Sequence, residues 1–342
     1  MKQPTLILSG VLAVQLVLAL GLAFSSSDYS AFKAGEPLVA FDKSKVDSVA
    51  IDETGASSVE LARKDGKWVI PAMAEFPADE GQVKQLIDKV AELKKGWPVA
   101  TTSEAAERFK VTADSHERRI VLKEGGKEVG SVLVGTAPTY RQAHIRVPSS
   151  SDVYSLEFAS HDAPSRNEQW MDKGLLRLPQ DKVSGISVHD LVLERKDGKF
   201  NVADLKEGET QKDGEIPPVV SAATSPSFDT VQGKGPDALA KLEPADFQVT
   251  VKREGGDPVV YKFKKEVAGG AYLFSVSTQP YVFRVSESLV KSLAEANRTK
   301  LVEVKQPEKP KEEPKAEQPK AEEPKTAEPQ TSPQPQPDST GG

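Results

Sequence analysis

The chain has 342 residues and a formal charge of −6, from 45 Lys and Arg against 51 Asp and Glu. This acidic balance, with no concentrated basic stretch, argues against a nucleic-acid binder, which needs a cationic face to release counterions. The absence of Cys excludes thiolate zinc sites, iron–sulfur clusters, cysteine nucleophiles, disulfide scaffolds and lipoprotein acylation.

Residues 1–5 carry Lys2 and form a short, charged start. Leu6 to Phe24 then follow without a charge, and Gln15 is their one strongly polar side chain. As a helix this run would cover roughly 28 Å, close to a hydrocarbon core. It reads as an uncleaved transmembrane anchor. A cleaved signal peptide is the alternative, because Gly21-Leu22-Ala23 fits a small-residue cleavage site. Lys2 precedes the run and Asp28 follows it, so the N-terminus is expected in the cytoplasm and the rest outside. The expected location is therefore the inner (cytoplasmic) membrane, single-pass, with the bulk periplasmic or extracytoplasmic. Residues 25–37 read as a linker.

Residues 38–159 read as a first β-rich α+β module. Val46, Val49 and Ile51 open one strand, and Val59–Arg63 another. Lys64-Asp65-Gly66-Lys67 is a tight hairpin turn, and Trp68-Val69-Ile70 continues the hairpin into the core. Pro77-Ala78-Asp79 introduces a helix. Asp79 is its N-cap, with Gln82 completing a capping-box pattern. Val83, Leu86, Ile87, Val90 and Leu93 make the buried stripe, and Gly96 suits a left-handed C-terminal cap. Trp97 is placed to pack back on that helix. Further strands are expected at Arg119–Lys123, Val129–Val134, His144–Val147 and Val153–Leu156, with Gly125-Gly126 joining the first two.

Residues 160–182 read as a junction, with Trp170 as its anchor, and residues 183–304 as a second module. The second repeats the first. Val46–Ile51 returns as Val183–Val188, 137 positions later, and Leu61–Trp68 as Leu193–Phe200, 132 positions later. Arg119–Gly126 resembles Gln248–Gly256, and Val153-Tyr154 resembles Tyr281-Val282-Phe283. No clear copy of the Asp79–Lys95 helix is visible. Glu207–Gly235, rich in Gly, Pro, Ser and Thr with a short helical candidate at Pro218–Ala223, reads as a surface or binding loop. The fold class expected is α+β: a transmembrane helix, two tandem modules of antiparallel meanders with one clear helix in the first, and a tail.

Residues 305–342 are that tail. From Gln306 onward there is no Val, Ile, Leu, Met or aromatic residue, and nine of the 25 prolines lie there. With no apolar surface to bury, it reads as a disordered, extended Pro/Lys/Glu segment. It is a spacer or a tether to the cell wall, and the charge from Gln306 onward, 5 Lys minus 8 acids, weakens the tether reading.

No G-x-S-x-G, H-E-x-x-H, P-loop or dinucleotide fingerprint is present. His116, His144, His161 and His189 are scattered without helical i+4 partners. His144, alternating with Ile145, is expected to face outward, and His189 sits beside Asp190 at a hairpin turn. Asp65 and Asp197 are explained by turn stereochemistry. No catalytic, cofactor-binding or metal residue is assigned, and no cofactor is expected. Tyr140-Arg141, in an irregular stretch, is of a composition enriched at interface hot spots.

These residues together resemble a known family. Val46-x-x-Val49-x-Ile51, Lys64–Ile70, Pro77-Ala78-Asp79 and Arg108–Val111 carry the likeness. So do Val132–Gly135, the Tyr140 region, Val153-Tyr154, Trp170-Met171-Asp172 and Leu175-Leu176. They resemble the bacterial family of domain of unknown function 4340 over about residues 38–200. The Glu207–Gly235 loop and the tail depart from that pattern. The resemblance implies a single-anchored envelope protein, often associated with ABC-transporter and gliding-type auxiliary components. It supplies no catalytic residues. The expected function is a non-enzymatic accessory to an ABC-type membrane complex. The alternatives are a peptidoglycan-binding or spacer protein and a hydrolase with an unrecognised site. The partners expected are the membrane and other membrane-complex proteins, with peptidoglycan as a further candidate.

Overall fold

Period-two alternation of apolar residues becomes two eight-stranded antiparallel sheets. The structure, a computed structural model, describes residues 12–15, 17, 35–56, 58–267 and 269–304. Of the apolar run 6–24 it describes only 12–15 and 17, which are helical and exposed. The anchor expected there and the tail 305–342 otherwise lie outside the described residues. Among the described residues no helix is long and apolar enough to cross a membrane.

The first sheet contains β1 (Ser48–Asp52), β2 (Val59–Lys64), β3 (Lys67–Ile70), β4 (Phe76–Pro77), β5 (Arg118–Glu124), β6 (Lys127–Val134), β7 (Gln142–Arg146) and β8 (Val153–Glu157). Their spatial order is 4-3-2-1-5-6-7-8. The second contains β9 (Val183–Val188), β10 (Leu191–Lys196), β11 (Lys199–Val202), β13 (Thr230–Lys234), β14 (Phe247–Arg253), β15 (Gly256–Lys265), β16 (Ala271–Val276) and β17 (Tyr281–Ser286). Their order is 11-10-9-14-15-16-17-13. The third to eighth positions of the first sheet (2-1-5-6-7-8) thus match the second to seventh of the other (10-9-14-15-16-17). A two-stranded ribbon pairs β12 (Glu209–Gln211) with β18 (Val302–Val304). The fold is mixed helix and sheet with large antiparallel sheets, an α+β architecture.

Turn stereochemistry sets the hairpins. Asp65 and Gly66 have φ of 50° and 80°, and Asp197 and Gly198 of 52° and 79°. Positive φ at both central residues matches the right-handed strand twist, so Lys64 faces Lys67 and Lys196 faces Lys199.

Helix α1 (Glu80–Glu92) buries Val83, Leu86, Ile87 and Val90. The Asp79 carboxylate accepts from the Gln82 N–H at 3.0 Å. The reciprocal half of the capping box is not formed. The Asp79 N–H instead donates to Trp170 O at 2.8 Å. Nor does Gly96 adopt a left-handed cap. The helix ends at Leu93 in extended geometry (φ −62°, ψ 124°). Leu93 O accepts from the Leu38 N–H at 2.7 Å, and the Lys95 N–H donates to Glu36 O at 2.8 Å. A chain leaving as a paired strand has no need of a glycine reversal. Trp97 is 77% exposed rather than packed back on the helix.

The largest correction lies at Glu207–Gly235. That stretch holds helix α3 (Ile216–Thr224), which buries Ile216, Val219, Val220, Ala223 and Thr224. The second half therefore has its own core helix. Two prolines in the first turn and the small residues Ser221 to Ala223 hide its periodicity, although proline is well tolerated at helix starts. Short helices α2 (Ser103–Arg108), α4 (Pro236–Ala240), α5 (Glu287–Ala294) and α6 (Arg298–Leu301) complete the described structure.

One apolar core runs through both halves. In β14 to β17, Phe247, Phe263, Phe274 and Phe283 stand opposite one another in turn. Their ring centroids are 4.7, 5.1 and 5.0 Å apart. Phe76 of β4 continues this ladder from the other sheet, 5.9 Å from Phe283 and 5.0 Å from Tyr281. A smaller cluster of Ala106, Val111, Leu133 and Val153 covers the opposite face of the first sheet. Strand alternation explains this split, since Val132 and Val134 face the main core and Leu133 the other side.

Candidate functional site

Helix α1 turns its polar side toward β8 and the 136–141 connection. Two adjoining cavities, of 660 and 340 Å³, share Gln85, Lys89 and Glu157. The larger is floored by Leu93 and Leu156 and the smaller closed by Arg141, His161 and Asp162. Together they form one groove between the helix and the last strand of the sheet.

Part of its charge is paired. Lys89 Nζ lies 2.5 Å from Asp162 Oδ2, which also accepts from the Ala159 N–H at 2.8 Å. Asp88 accepts from Lys43 at 2.7 Å and Lys84 at 2.5 Å. Those two hydrogen bonds hold the Asp88 carboxyl below its ordinary range, Lys43 contributing most. At the end of the groove Tyr140 is 85% exposed. The Arg141 guanidinium lies 5.5 Å over its ring.

The histidines expected from sequence are dispersed. His144 does not face outward. It is buried, stacks on Phe109 with centroids 3.9 Å apart, and holds Thr136 O at 2.8 Å from Nδ1. Phe109, at the C-cap of α2, covers the face of β7 that alternation alone leaves open. His116 Nδ1 contacts Thr112 O at 3.1 Å, and His189 sits in the β9–β10 turn at φ 49°. His161 Nε2 is 3.9 Å from Asp162 Oδ1, beyond hydrogen-bond reach. Among the described residues no group of three or more His, Cys, Asp or Glu could hold a metal ion.

The other residues singled out take structural places. Trp68 is buried. Trp170 is fully buried, and its Nε1 donates to Pro164 O at 2.9 Å. Sequence reasoning missed the Lys89–Asp162 pair, whose partners are 73 positions apart and carry no local signal. It also missed a repeated cleft. Trp68 and Ile87 line a 510 Å³ cavity between hairpin and helix, and Phe200, Ile216 and Val220 line one of 650 Å³ at the matching place in the second half.

Residues 68–227 match the family model Domain of unknown function (DUF4340). Over that stretch the chain is similar to the DUF4340 family. The stretch takes in α1, β8 and the whole groove between them, and it runs through α3. The part of the expected departure that lies at Glu207–Ser227 is thus inside the DUF4340 match, as befits a segment that fills the core. No curated protein and no solved structure matches the chain.

Proposed function

We propose that this protein is a non-enzymatic, membrane-anchored accessory subunit. Leu6–Phe24 would hold it in the cytoplasmic membrane, and its folded part would bind an ABC-type complex on the extracytoplasmic side. The observation that carries the binding role is the exposed Tyr140–Arg141 pair at the mouth of a groove in which Lys89 pairs with Asp162 and Lys84 with Asp88. A rigid aromatic over a guanidinium is the kind of anchor that dominates protein interfaces. The lining balances four Lys and Arg against four Asp and Glu, which leaves little net field for a small ionic substrate.

Cross-linking in intact cells, extraction in mild detergent and mass spectrometry test this reading. Stoichiometric recovery of a permease and an ATPase, reduced by Tyr140→Ala, is expected. Recovery of wall-linked material alone would favour the peptidoglycan reading suggested by the Pro/Lys/Glu tail, and recovery of nothing would sink the accessory role.

A further inference from the structure

The two sheets differ at one edge. In the second, β13 covers β17 antiparallel, with Thr230 opposite Arg284 and Gly233 opposite Val282. The Asp229 N–H donates to Arg284 O at 2.8 Å, and the Asp229 carboxylate accepts from the Ser286 N–H at 2.6 Å.

β8 holds the matching position in the first sheet. Its register on β7 pairs Arg146 with Val153 and Gln142 with Glu157, and the Phe158 N–H donates to Arg141 O at 3.0 Å. Antiparallel geometry alternates the direction of backbone groups. Tyr154, Leu156 and Phe158 therefore point theirs toward β7, and Val153, Ser155 and Glu157 point theirs outward. Val153 is satisfied: its N–H donates to Ala100 O, and its carbonyl accepts from the Val99 N–H, both at 2.8 Å. The covering segment then reaches Pro98, which has no N–H to offer. Among the described residues no backbone group pairs with Ser155 or Glu157 on the outward side. The 660 Å³ groove adjoins this stretch, with Leu156 and Glu157 on one wall and Lys89, Glu92, Leu93 and Lys94 on the other.

We propose that the β8 edge at Ser155–Glu157 takes up an extended segment of a partner protein as an added antiparallel strand, lying between β8 and α1. This rests on the accessory reading above and names its mode of contact. The chain itself shows what such an edge accepts, because β13 occupies the equivalent place on β17. Recognition runs through the main chain, with an apolar side chain of the partner set on Leu93 and Leu156. An unpaired strand edge beside a groove is a template for this kind of pairing.

The test uses the full chain in intact cells with a photo-cross-linking residue in place of Glu157. The expected adduct joins it to a membrane-complex subunit and maps to an extended segment of that subunit. Ser155→Pro removes an outward N–H and, like Ser155→Ala, the hydroxyl's 2.7 Å hydrogen bond to Gln142 Oε1, while the backbone ladder to β7 stays intact. It should lower adduct yield about tenfold or more, whereas Ser155→Ala should not. If Ser155→Pro fails to fold by circular dichroism, Glu157→Pro serves, with the photoreactive group moved to Lys94. Equal yields in the Pro and Ala variants overturn the proposal, and so does an adduct between two copies of this chain. Co-recovery of the complex without an adduct overturns the edge and leaves the accessory role standing. Failure of the wild type to recover any complex removes the accessory role itself.

Discussion

The hydroxyl of Tyr281 donates to the carbonyl oxygen of Glu75 at 3.1 Å, joining residues 206 positions apart. Glu75 precedes β4 at one end of the first sheet, and Tyr281 opens β17 in the second. Between them Phe76 is fully buried, edge-on to Phe228, Tyr281 and Phe283. Edge-to-face contacts of this kind add to area burial. Lys234 also reaches Glu75, at 3.3 Å, but that pair is about two-fifths exposed on both sides and contributes little.

Phe76→Ala should therefore cost about 3–5 kcal/mol through the cavity it leaves, and Tyr281→Phe about 1 kcal/mol through the lost hydrogen bond. Because the core is continuous across both sheets, wild-type urea unfolding should follow one transition by tryptophan fluorescence and by circular dichroism. Trp68 and Trp170 are buried and report the first half and its junction. Two separated transitions in the wild type, or a Phe76→Ala variant as stable as the parent, would contradict this.

Gly135 follows β6, where its N–H donates to His144 O at 2.9 Å. A Cβ there would overlap the Phe109 carbonyl oxygen and lie 2.5 Å from that of Lys110. These are backbone atoms with no rotamer to change. Gly135→Ala should destabilise by about 3 kcal/mol and disturb the stacking of Phe109 on His144. Thermal melting and the His144 ring signals in NMR would register both effects, and an unshifted melting temperature would refute the argument.

Tyr261 is fully exposed to neither water nor a partner. Its ring is buried in β15, and among the described residues its hydroxyl has no hydrogen-bond partner. Burial pushes the phenol well above its ordinary pKa. A buried, unpaired hydroxyl costs about 1–3 kcal/mol, so removing it releases that penalty. Tyr261→Phe should be at least as stable as the parent and gain about 1 kcal/mol. A clear loss of stability on equilibrium unfolding would show that the hydroxyl has a partner.

The hairpins were legible because Asp-Gly carries its own stereochemistry: Asp65-Gly66 and Asp197-Gly198 take positive φ wherever the strands go. Helix α1 was legible from its apolar spacing and the Asp79 cap. Its end was not, since the extended exit at Leu93 depends on pairing with residues near 36–38, which no local pattern announces. Helix α3 was obscured because its buried face uses small residues and begins with proline, so length and periodicity were both weak. His144 was misplaced for a related reason. Alternation assigns two faces to a strand but does not say that a separate segment, ending at Phe109, covers the second. Of the candidate site, only Tyr140–Arg141 could be named beforehand, from composition. The groove itself arises where α1, β8 and the turn at Asp162 converge, and the open edge of β8 becomes visible only beside its covered counterpart β17.

Glu53 provides a pH-dependent link between the first sheet and the junction. Its carboxylate accepts from the Ser165 hydroxyl, 112 positions away, and lies 3.0 Å from Arg118 Nη1. Arg118 Nε in turn donates to Ala163 O at 2.7 Å. The Ser165 hydrogen bond, with help from the Arg118 charge and against some desolvation, holds the Glu53 carboxyl below its ordinary 4.5. A carboxylate whose pKa is depressed by folding contributes stability that is fully present above its unfolded pKa. That contribution is lost as pH falls through the folded value. Glu53→Gln should therefore lower the melting temperature at neutral pH, and the difference from wild type should shrink as the buffer is taken below about pH 4.5. Ser165→Ala should behave in the same direction. Melting curves of the three proteins from pH 7 to pH 3 would decide it. A wild-type-to-variant gap that stays constant across that range, or widens toward acid, would mean that the Glu53 charge does not hold the junction in place.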